Sequence, residues 1–258
     1  MAKEPFDLLA QAYDQNFALS AVGQFQREQV WHQIADLWPQ NAHLLELGCG
    51  TGIDAQYLVA QGFRVLATDI SSGMLIEAQR RCADFPQVSF KVLDASDVGQ
   101  VKETFDGAFS NFAAINCVLD LPHFAEQLAL KIRSGGKIAL CFFGRTCAWE
   151  ITASLLAGKP KRAFRRWRSG IITAGIGQGA TISVRYYGST EIEQIFAPWF
   201  VLEKAIGIGF LVPPTYLQSL VVRFPSVFQV CNALDKRIGG FWPANQLSDH
   251  VLYILRCR

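Results

Sequence analysis

A short apolar run, His43-Leu44-Leu45-Glu46-Leu47, passes directly into Gly48-Cys49-Gly50-Thr51-Gly52 and then into IDAQYLVAQG, a stretch of helical composition ending at Gly62. Strand, glycine turn and helix in that order restrict the fold more than any other feature. Three glycines in five residues serve backbone conformations and close approaches that side chains would block. The alternation then repeats. Apolar runs at 64–68 (RVLAT), 88–93 (VSFKVL), 107–112 (GAFSNF) and 137–143 (KIALCFF) are separated by helix-period segments. Five strands joined by helices predict βαβ units, helices on both faces of a parallel sheet, and a ligand site at the carboxyl ends of the strands.

The 258 residues fit one domain with additions. Residues 1–42 are expected to form a helical cap, in which Val30, Trp31, Ile34, Leu37 and Trp38 share one helical face. Residues 43–144 form the core, and 145–187, where the βα rhythm breaks, an insertion of lid size with a glycine-rich loop or hairpin. In 188–258, Thr190 and Glu193 have capping-box spacing for a helix to about Phe196, with Pro198 beyond it. Antiparallel strands at 201–212 and 250–257, joined by a long aromatic-containing connection, follow. The expected fold is an α/β, Rossmann-like, doubly wound and mostly parallel sheet of seven strands.

Half the residues are hydrophobic and 18% are charged, a globular composition. The beginning of the chain carries Glu4, Asp7 and Asp14 and no long apolar run, unlike a secretory leader. No stretch of about 18 apolar residues offers a membrane span. Seven scattered cysteines without metal-type spacing predict no metal and a reducing, cytoplasmic setting. A net charge of +2 argues against wholesale nucleic-acid binding. Its distribution is uneven, however. Lys159, Lys161, Arg162, Arg165, Arg166 and Arg168 are six of the 24 basic residues, and the other 18 face 22 acidic ones.

The glycine loop reads G-x-G-x-G, not G-x-G-x-x-G, and no Lys-Ser or Lys-Thr follows at phosphate-loop spacing, so a dinucleotide or triphosphate fits poorly. Glu46, two residues before the first glycine, would repel a pyrophosphate and favour a cationic ligand. Asp69 ends the second strand nineteen residues after Gly50, where a carboxylate can accept from ribose hydroxyls. LLELGCGTGIDAQYLVAQG, RVLATDISSGML, VSFKVLDAS, FDGAFSNFAAIN and LKIRSGGKIAL, spanning about 44–143, resemble the successive motifs of class I S-adenosylmethionine-dependent methyltransferases. AYDQNF (12–17) is similar to the Tyr-Asp-x-x-Phe segment that often precedes that domain.

The resemblance implies that Glu46, Gly48, Cys49, Gly50 and Gly52 surround the methionine part of S-adenosylmethionine, a ligand with a sulfonium and an ammonium. It puts Asp69 on the ribose, Ile70 and Met74 beside the adenine, and Asp94 on the adenine amino group with Ala95 next to it. Ser110, Asn111 and Phe112 fall near the reactive methyl, and Tyr13 closes the pocket. The implied activity is methyl transfer to a small organic acceptor, with S-adenosylhomocysteine released. Binding without transfer, or nicotinamide-dependent oxidoreduction on the same fold, stays open as an alternative. His123, Asn116 and Tyr186 or Tyr187 are the candidates for contact with the acceptor, and no general base is singled out. NFAAIN is not the Asn/Asp-Pro-Pro-Tyr/Phe sequence of enzymes that methylate nucleobase or glutamine amino groups, which disfavours those substrates.

On a helical wheel, Lys161, Arg162, Arg165, Arg166 and Arg168 fall on one arc and Ala163, Phe164 and Trp167 on the other. The expectation is an amphipathic helix with its apolar side over the cleft entrance. Its basic side is a solvated face or a surface for an anionic acceptor, an acyl carrier or a membrane.

Overall fold

Alternation of side chains along the strands divides the hydrophobic core into two layers, one on each face of a sheet. In β1 (His43–Leu47), Leu44 joins one buried cluster, whereas Leu45 and Leu47 join the other. Ala139 and Cys141 against Ile138, Leu140 and Phe142 repeat the division in β5 (Ile132–Phe143). A sheet apolar on both faces must be covered on both, which is the βαβ arrangement. The computed structural model describes residues 5–8, 10–14, 19–177 and 179–258.

Between β1 and β5 lie β2 (Arg64–Asp69), β3 (Val88–Val92) and β4 (Phe105–Ser110); after them come β6 (Ile172–Gly177), β7 (Ala180–Val184), β8 (Phe200–Ile208) and β9 (His250–Cys257). Seven strands form one sheet in the order β3-β2-β1-β4-β5-β9-β8, and β6 and β7 pair separately as an antiparallel hairpin. β1 to β5 are mutually parallel, and β9 runs antiparallel to both β5 and β8. The order reverses between β1 and β4. There the helices leave on opposite faces and open a crevice at the strand ends.

The helices named below are α1 (Ala21–Ile34), α2 (Ile53–Ala60), α3 (Ser72–Arg81), α4 (Leu121–Ala129), α5 (Ala148–Leu156), α6 (Ser189–Phe196) and α7 (Pro225–Ile238). Ser20 caps α1 by accepting from the Gly23 N–H at 3.0 Å. The inward face of α1 is more polar than the expected apolar stripe. It buries Gln26, Arg27 and Gln29 beside Val30 and Ile34, because the two glutamines find partners in Asp249 and Asn232 of the C-terminal region and Arg27 finds one in Asp54.

Three further expectations are corrected. β5 begins at Ile132 instead of Lys137, since Phe105 pairs with Ile132 and Gly107 with Lys137 across an irregularity that the Ser134-Gly135-Gly136 turn signal concealed. α6 starts at Ser189 behind Gly188, so Thr190 is inside the helix and is not its cap; the Gly188 carbonyl accepts the Ile192 N–H at 3.0 Å. Finally, the strand expected over 201–212 is β8, which ends at Ile208, and the connection from it to β9 contains the helical segments Thr215–Leu217, Gln218–Arg223, α7 and Ala244–Leu247.

Candidate functional site

The crevice at the order reversal is a cleft of about 540 Å³. Its floor is the loop after β1, where Gly48, Cys49, Gly50 and Thr51 face it. Asp69 and Ile70 enter from the end of β2, Met74 from α3, Asp94 and Ala95 from beyond β3, and Asn111 and Phe112 from beyond β4. Tyr13 lines it from the N-terminal section, while Gln15, Asn16 and Phe17 of the same motif lie outside the described residues.

Loop geometry explains the glycines separately. Gly52 has φ +79°, and a Cβ there would stand 2.8 Å from the Ala78 Cβ, so it lets α2 pack against α3. Gly50, at φ +54°, has nothing within 4 Å of where a Cβ would be: it keeps the loop backbone open toward the cleft. Its N–H donates to Asp69 Oδ2 at 2.8 Å, and the Ser71 N–H donates to Asp69 Oδ1 at 2.9 Å. Each carboxylate oxygen retains acceptor capacity. Burial raises the Asp69 pKa, with the N–H donors of Ser71 and Gly50 opposing it.

Glu46 is buried beneath the loop and does not line the cleft, and its Oε2 has no hydrogen-bond partner among the described residues. Burial lifts its pKa well above the usual carboxylate range, with Asp54 and Asp69 adding to the rise and Arg27 opposing it. Arg27 and Asp54 form a buried pair at 2.8 Å. Asp54 also accepts from Trp31 Nε1 at 2.7 Å and Asn111 Nδ2 at 3.2 Å. Burial pushes the Tyr13 hydroxyl up to about 12, so at neutral pH it is a donor and not a base. Phe112 and Ala113 have φ of 47° and 63°, a left-handed backbone in two non-glycine residues. Such strain, of order 1–3 kcal/mol each, persists where surroundings impose it. Here Asn111 Oδ1 accepts the Phe112 N–H at 2.9 Å and the Cys141 carbonyl accepts the Ala113 N–H at 3.0 Å.

The acceptor candidates lie elsewhere. His123 is exposed at the start of α4, 3.8 Å from Glu126. Asn116 is buried and structural, accepting the Phe143 N–H at 2.9 Å and donating to the Arg185 carbonyl at 2.6 Å. Tyr186 packs on Phe143, and the Tyr187 hydroxyl donates to the Val118 carbonyl at 3.3 Å. Ser110 is buried with its hydroxyl on the Leu47 carbonyl at 2.8 Å. None of these five lines the cleft. Residues not anticipated do line it. Arg27, Asp54, Cys117, Val118 and Phe143 are among them, and Ile176, Ile182 and Val184 of the hairpin cover its other side. Arg27 had a legible signal, standing three and seven residues before Val30 and Ile34, a charge on an apolar stripe. Pairs brought together only by tertiary packing had none.

The basic segment is not one amphipathic helix. It consists of two short turns, Pro160–Ala163 and Arg165–Trp167. Arg166, expected on the solvated side, is buried, and Trp167, expected inside, is half exposed. Glu150 and Asp249 decide the matter. Arg166 donates to Glu150 Oε2 and Asp249 Oδ1, each at 2.7 Å, and to the Gly144 and Asp249 carbonyls.

A methyltransferase-domain family model matches residues 44–136. A demethylmenaquinone methyltransferase from Clavibacter sepedonicus is 33% identical over 138 residues, covering 54% of this chain and 56% of the relative. A malonyl-[acyl-carrier protein] O-methyltransferase from Ilyobacter polytropus is 30% identical over 160 residues, covering 58% and 59%. The chain thus spans little more than half the length of these curated relatives. Among solved structures, an S-adenosylmethionine-dependent methyltransferase from Clostridium acetobutylicum superposes with a TM-score of 0.61 at 11% identity, over 98% of this chain and 99% of that one.

Proposed function

Residues 44–136 are a class I S-adenosylmethionine-dependent methyltransferase domain, and on that premise we propose that the protein binds S-adenosylmethionine in the cleft and methylates a small, largely apolar acceptor. One observation carries the reading. Asp54 and Asp69 lie close enough to the buried Glu46 to raise its pKa, Arg27, paired with Asp54, is the cation that opposes them, and Glu46 Oε2 has no hydrogen-bond partner among the described residues. Three buried carboxyl groups against one guanidinium oppose a pyrophosphate and suit a ligand bearing sulfonium and ammonium charges, whose arrival favours the ionised form of Glu46.

The residues present fit that ligand. Asp69 has acceptor capacity for ribose hydroxyls, Ile70 and Met74 supply apolar walls for the adenine, and Asp94 stands at the outer end of the same wall. The bound cofactor supplies a methyl group already activated on positive sulfur. What remains for the protein is to orient and to exclude water. Asn111 and Phe112 hold the wall beyond β4 rigidly, and Phe143, Val118, Ile176, Ile182 and Val184 make the acceptor side apolar. Orientation in a dry cleft is worth on the order of 7–11 kcal/mol. Among the described lining residues there is no histidine, so alignment rather than imidazole base catalysis carries the rate.

An apolar wall above a carboxylate-rich floor favours a neutral, lipid-like or aromatic acceptor over an anionic one. Of the chemistries named for the two relatives, that of demethylmenaquinone fits better than that of a malonyl thioester. The test is transfer of labelled methyl from S-adenosylmethionine to a short-chain demethylmenaquinone kept reduced as its quinol, whose ring carbon is the nucleophile, and to malonyl-acyl-carrier protein, together with calorimetry of S-adenosylhomocysteine and NAD. Label in the quinone and heat from S-adenosylhomocysteine alone are expected. Binding of NAD with no response to S-adenosylhomocysteine would overturn the reading.

A further inference from the structure

The outer surface built by the insertion and the helices after β8 combines exposed apolar side chains with positive charge. α7 turns Phe228, Asn232 and Asp235 inward. Val227, Val230 and Leu234, at i, i+3 and i+7, make a second stripe that is 57%, 60% and 42% exposed. Leu156, at the end of α5, is 85% exposed, and Phe164 and Trp167 touch each other at the surface with ring centroids 4.8 Å apart. A folded chain with no partner gains nothing by collecting such groups.

Contacts join the elements that carry these groups. The Arg162 guanidinium lies 5.2 Å over the Tyr216 ring, joining the basic segment to the helices after β8. From α5, Trp149 donates to the Phe210 carbonyl at 3.0 Å and packs on the cluster of Val221 and Phe228. The charge pattern is one-sided. Residues 148–188 and 213–247 contain two acidic residues, Glu150 and Asp235. Both are buried, the first held by Arg165 and Arg166, the second accepting the Leu211 and Val212 N–H groups. Lys159, Lys161, Arg162, Arg168, Arg223 and Arg237 are exposed. Every exposed charge on these two stretches is therefore cationic.

We propose that this surface docks the protein on an anionic lipid bilayer. Acidic headgroups match the lysines and arginines, and the apolar side chains between them reach the acyl boundary. An acidic protein would match the charges but would leave apolar groups spread along separate helices without a complementary pocket. The surface also adjoins the cleft, since Thr215 lines it and Tyr216 carries Arg162. On the methyl-transfer reading, a lipid-soluble acceptor would pass from the bilayer to the site without crossing water; the docking itself does not depend on that reading.

Flotation of the purified protein with phosphatidylcholine vesicles, alone or mixed with phosphatidylglycerol, tests the proposal. At low salt the protein should float with the mixed vesicles only, and the emission of Trp167 and of Trp242, a further exposed aromatic of residues 213–247, should shift to the blue. Lys161→Glu/Arg162→Glu/Arg223→Glu should lower the bound fraction at least tenfold, as should Val227→Ser/Val230→Ser/Leu234→Ser. Both variants should keep the wild-type Tm and the response to S-adenosylhomocysteine, which separates docking from folding and from cofactor binding. Absence of binding to mixed vesicles, or binding that neither variant reduces, overturns the proposal. So does a wild-type dimer that the serine variant dissociates without loss of vesicle binding, which would make the stripe an interface between copies. Charge-dependent binding of an acidic acyl-carrier protein in place of vesicles would overturn it too.

Discussion

Arg27 Nη1 stands 2.8 Å from Asp54 Oδ2 with both side chains buried, and the same guanidinium lies 4.7 Å over the ring of Phe112. One ion pair thus joins α1, the start of α2 and the strained turn after β4. Removing the cation leaves Asp54 near Glu46 without compensation. Arg27→Met is expected to cost about 3–5 kcal/mol, the usual penalty for breaking a buried pair from one side. Denaturant unfolding measures it. The double variant Arg27→Met/Asp54→Asn should recover part of the loss, and additivity of the two single changes would show that the pair is not coupled.

Asp69 serves both the loop and the ligand, so its substitutions separate by what they retain. Asp69→Asn keeps one oxygen acceptor for the Gly50 or Ser71 N–H and removes the charge; Asp69→Ala removes both acceptors. S-adenosylhomocysteine affinity should fall by roughly 1–3 kcal/mol in the asparagine variant, the cost of a lost charged acceptor. The alanine variant should lose more and also show a lower Tm. Unchanged affinity in both, by calorimetry, would place Asp69 outside the ligand site.

The parts of this molecule legible in sequence are those whose physics is local. β1 and β2, the glycine loop and the carboxylate ending β2 follow from side-chain alternation, backbone freedom and spacing, and they meet in the cleft as the spacing implies. Arg166 was not legible. A helical wheel assigns it to water because the wheel knows nothing of Glu150 or of Asp249, which is 83 residues away in the chain. The hairpin over the cleft likewise follows from its glycines only as a loop or hairpin, while the fact that Ile176 and Ile182 line the same cleft as Phe143 depends on how the insertion folds back.

Glu46 gives the site a pH dependence of definite sign. Its pKa in the folded protein is raised, by burial first and by Asp54 and Asp69 second, so the native state holds a proton that the unfolded chain has released. Stability from this group is full at low pH and falls as pH rises above the ordinary glutamate range. Lowered by burial, the His250 pKa contributes in the opposite direction, because charging the buried imidazole at acid pH disfavours the native state. The difference between wild type and Glu46→Gln isolates the glutamate. That variant should gain on wild type in Tm as pH rises from 5 to 8, and a pH-independent difference would show that Glu46 is ionised throughout. A cationic ligand favours the ionised form, so S-adenosylmethionine should stabilise wild type more at pH 8 than at pH 5, and Glu46→Gln should lose that trend.

Within the basic segment, adjacent arginines have different tasks. Arg166 is buried, bridges Glu150 and Asp249, and lies 5.3 Å from the Phe143 ring centre and 5.7 Å from that of Tyr186, behind the cleft wall. Asp249 has its pKa held below the usual carboxylate range against the effect of burial, with the permanent charge and hydrogen bond of Arg166 opposing burial. Arg166→Ala strands two buried carboxylates, so a loss of about 3–5 kcal/mol is expected. Arg162→Glu changes an exposed cation that lies over the Tyr216 ring, and its effect on stability should stay within about 0.5 kcal/mol. Since Phe143 lines the cleft and rests against both Arg166 and His250, Arg166→Ala should also quicken S-adenosylhomocysteine release, whereas Arg162→Glu should not. Stopped-flow displacement reads the release rate, and Tm reads stability on the same samples. Equal effects of the two substitutions would mean that the segment is a uniform solvated face and that the insertion is held to the sheet by other contacts.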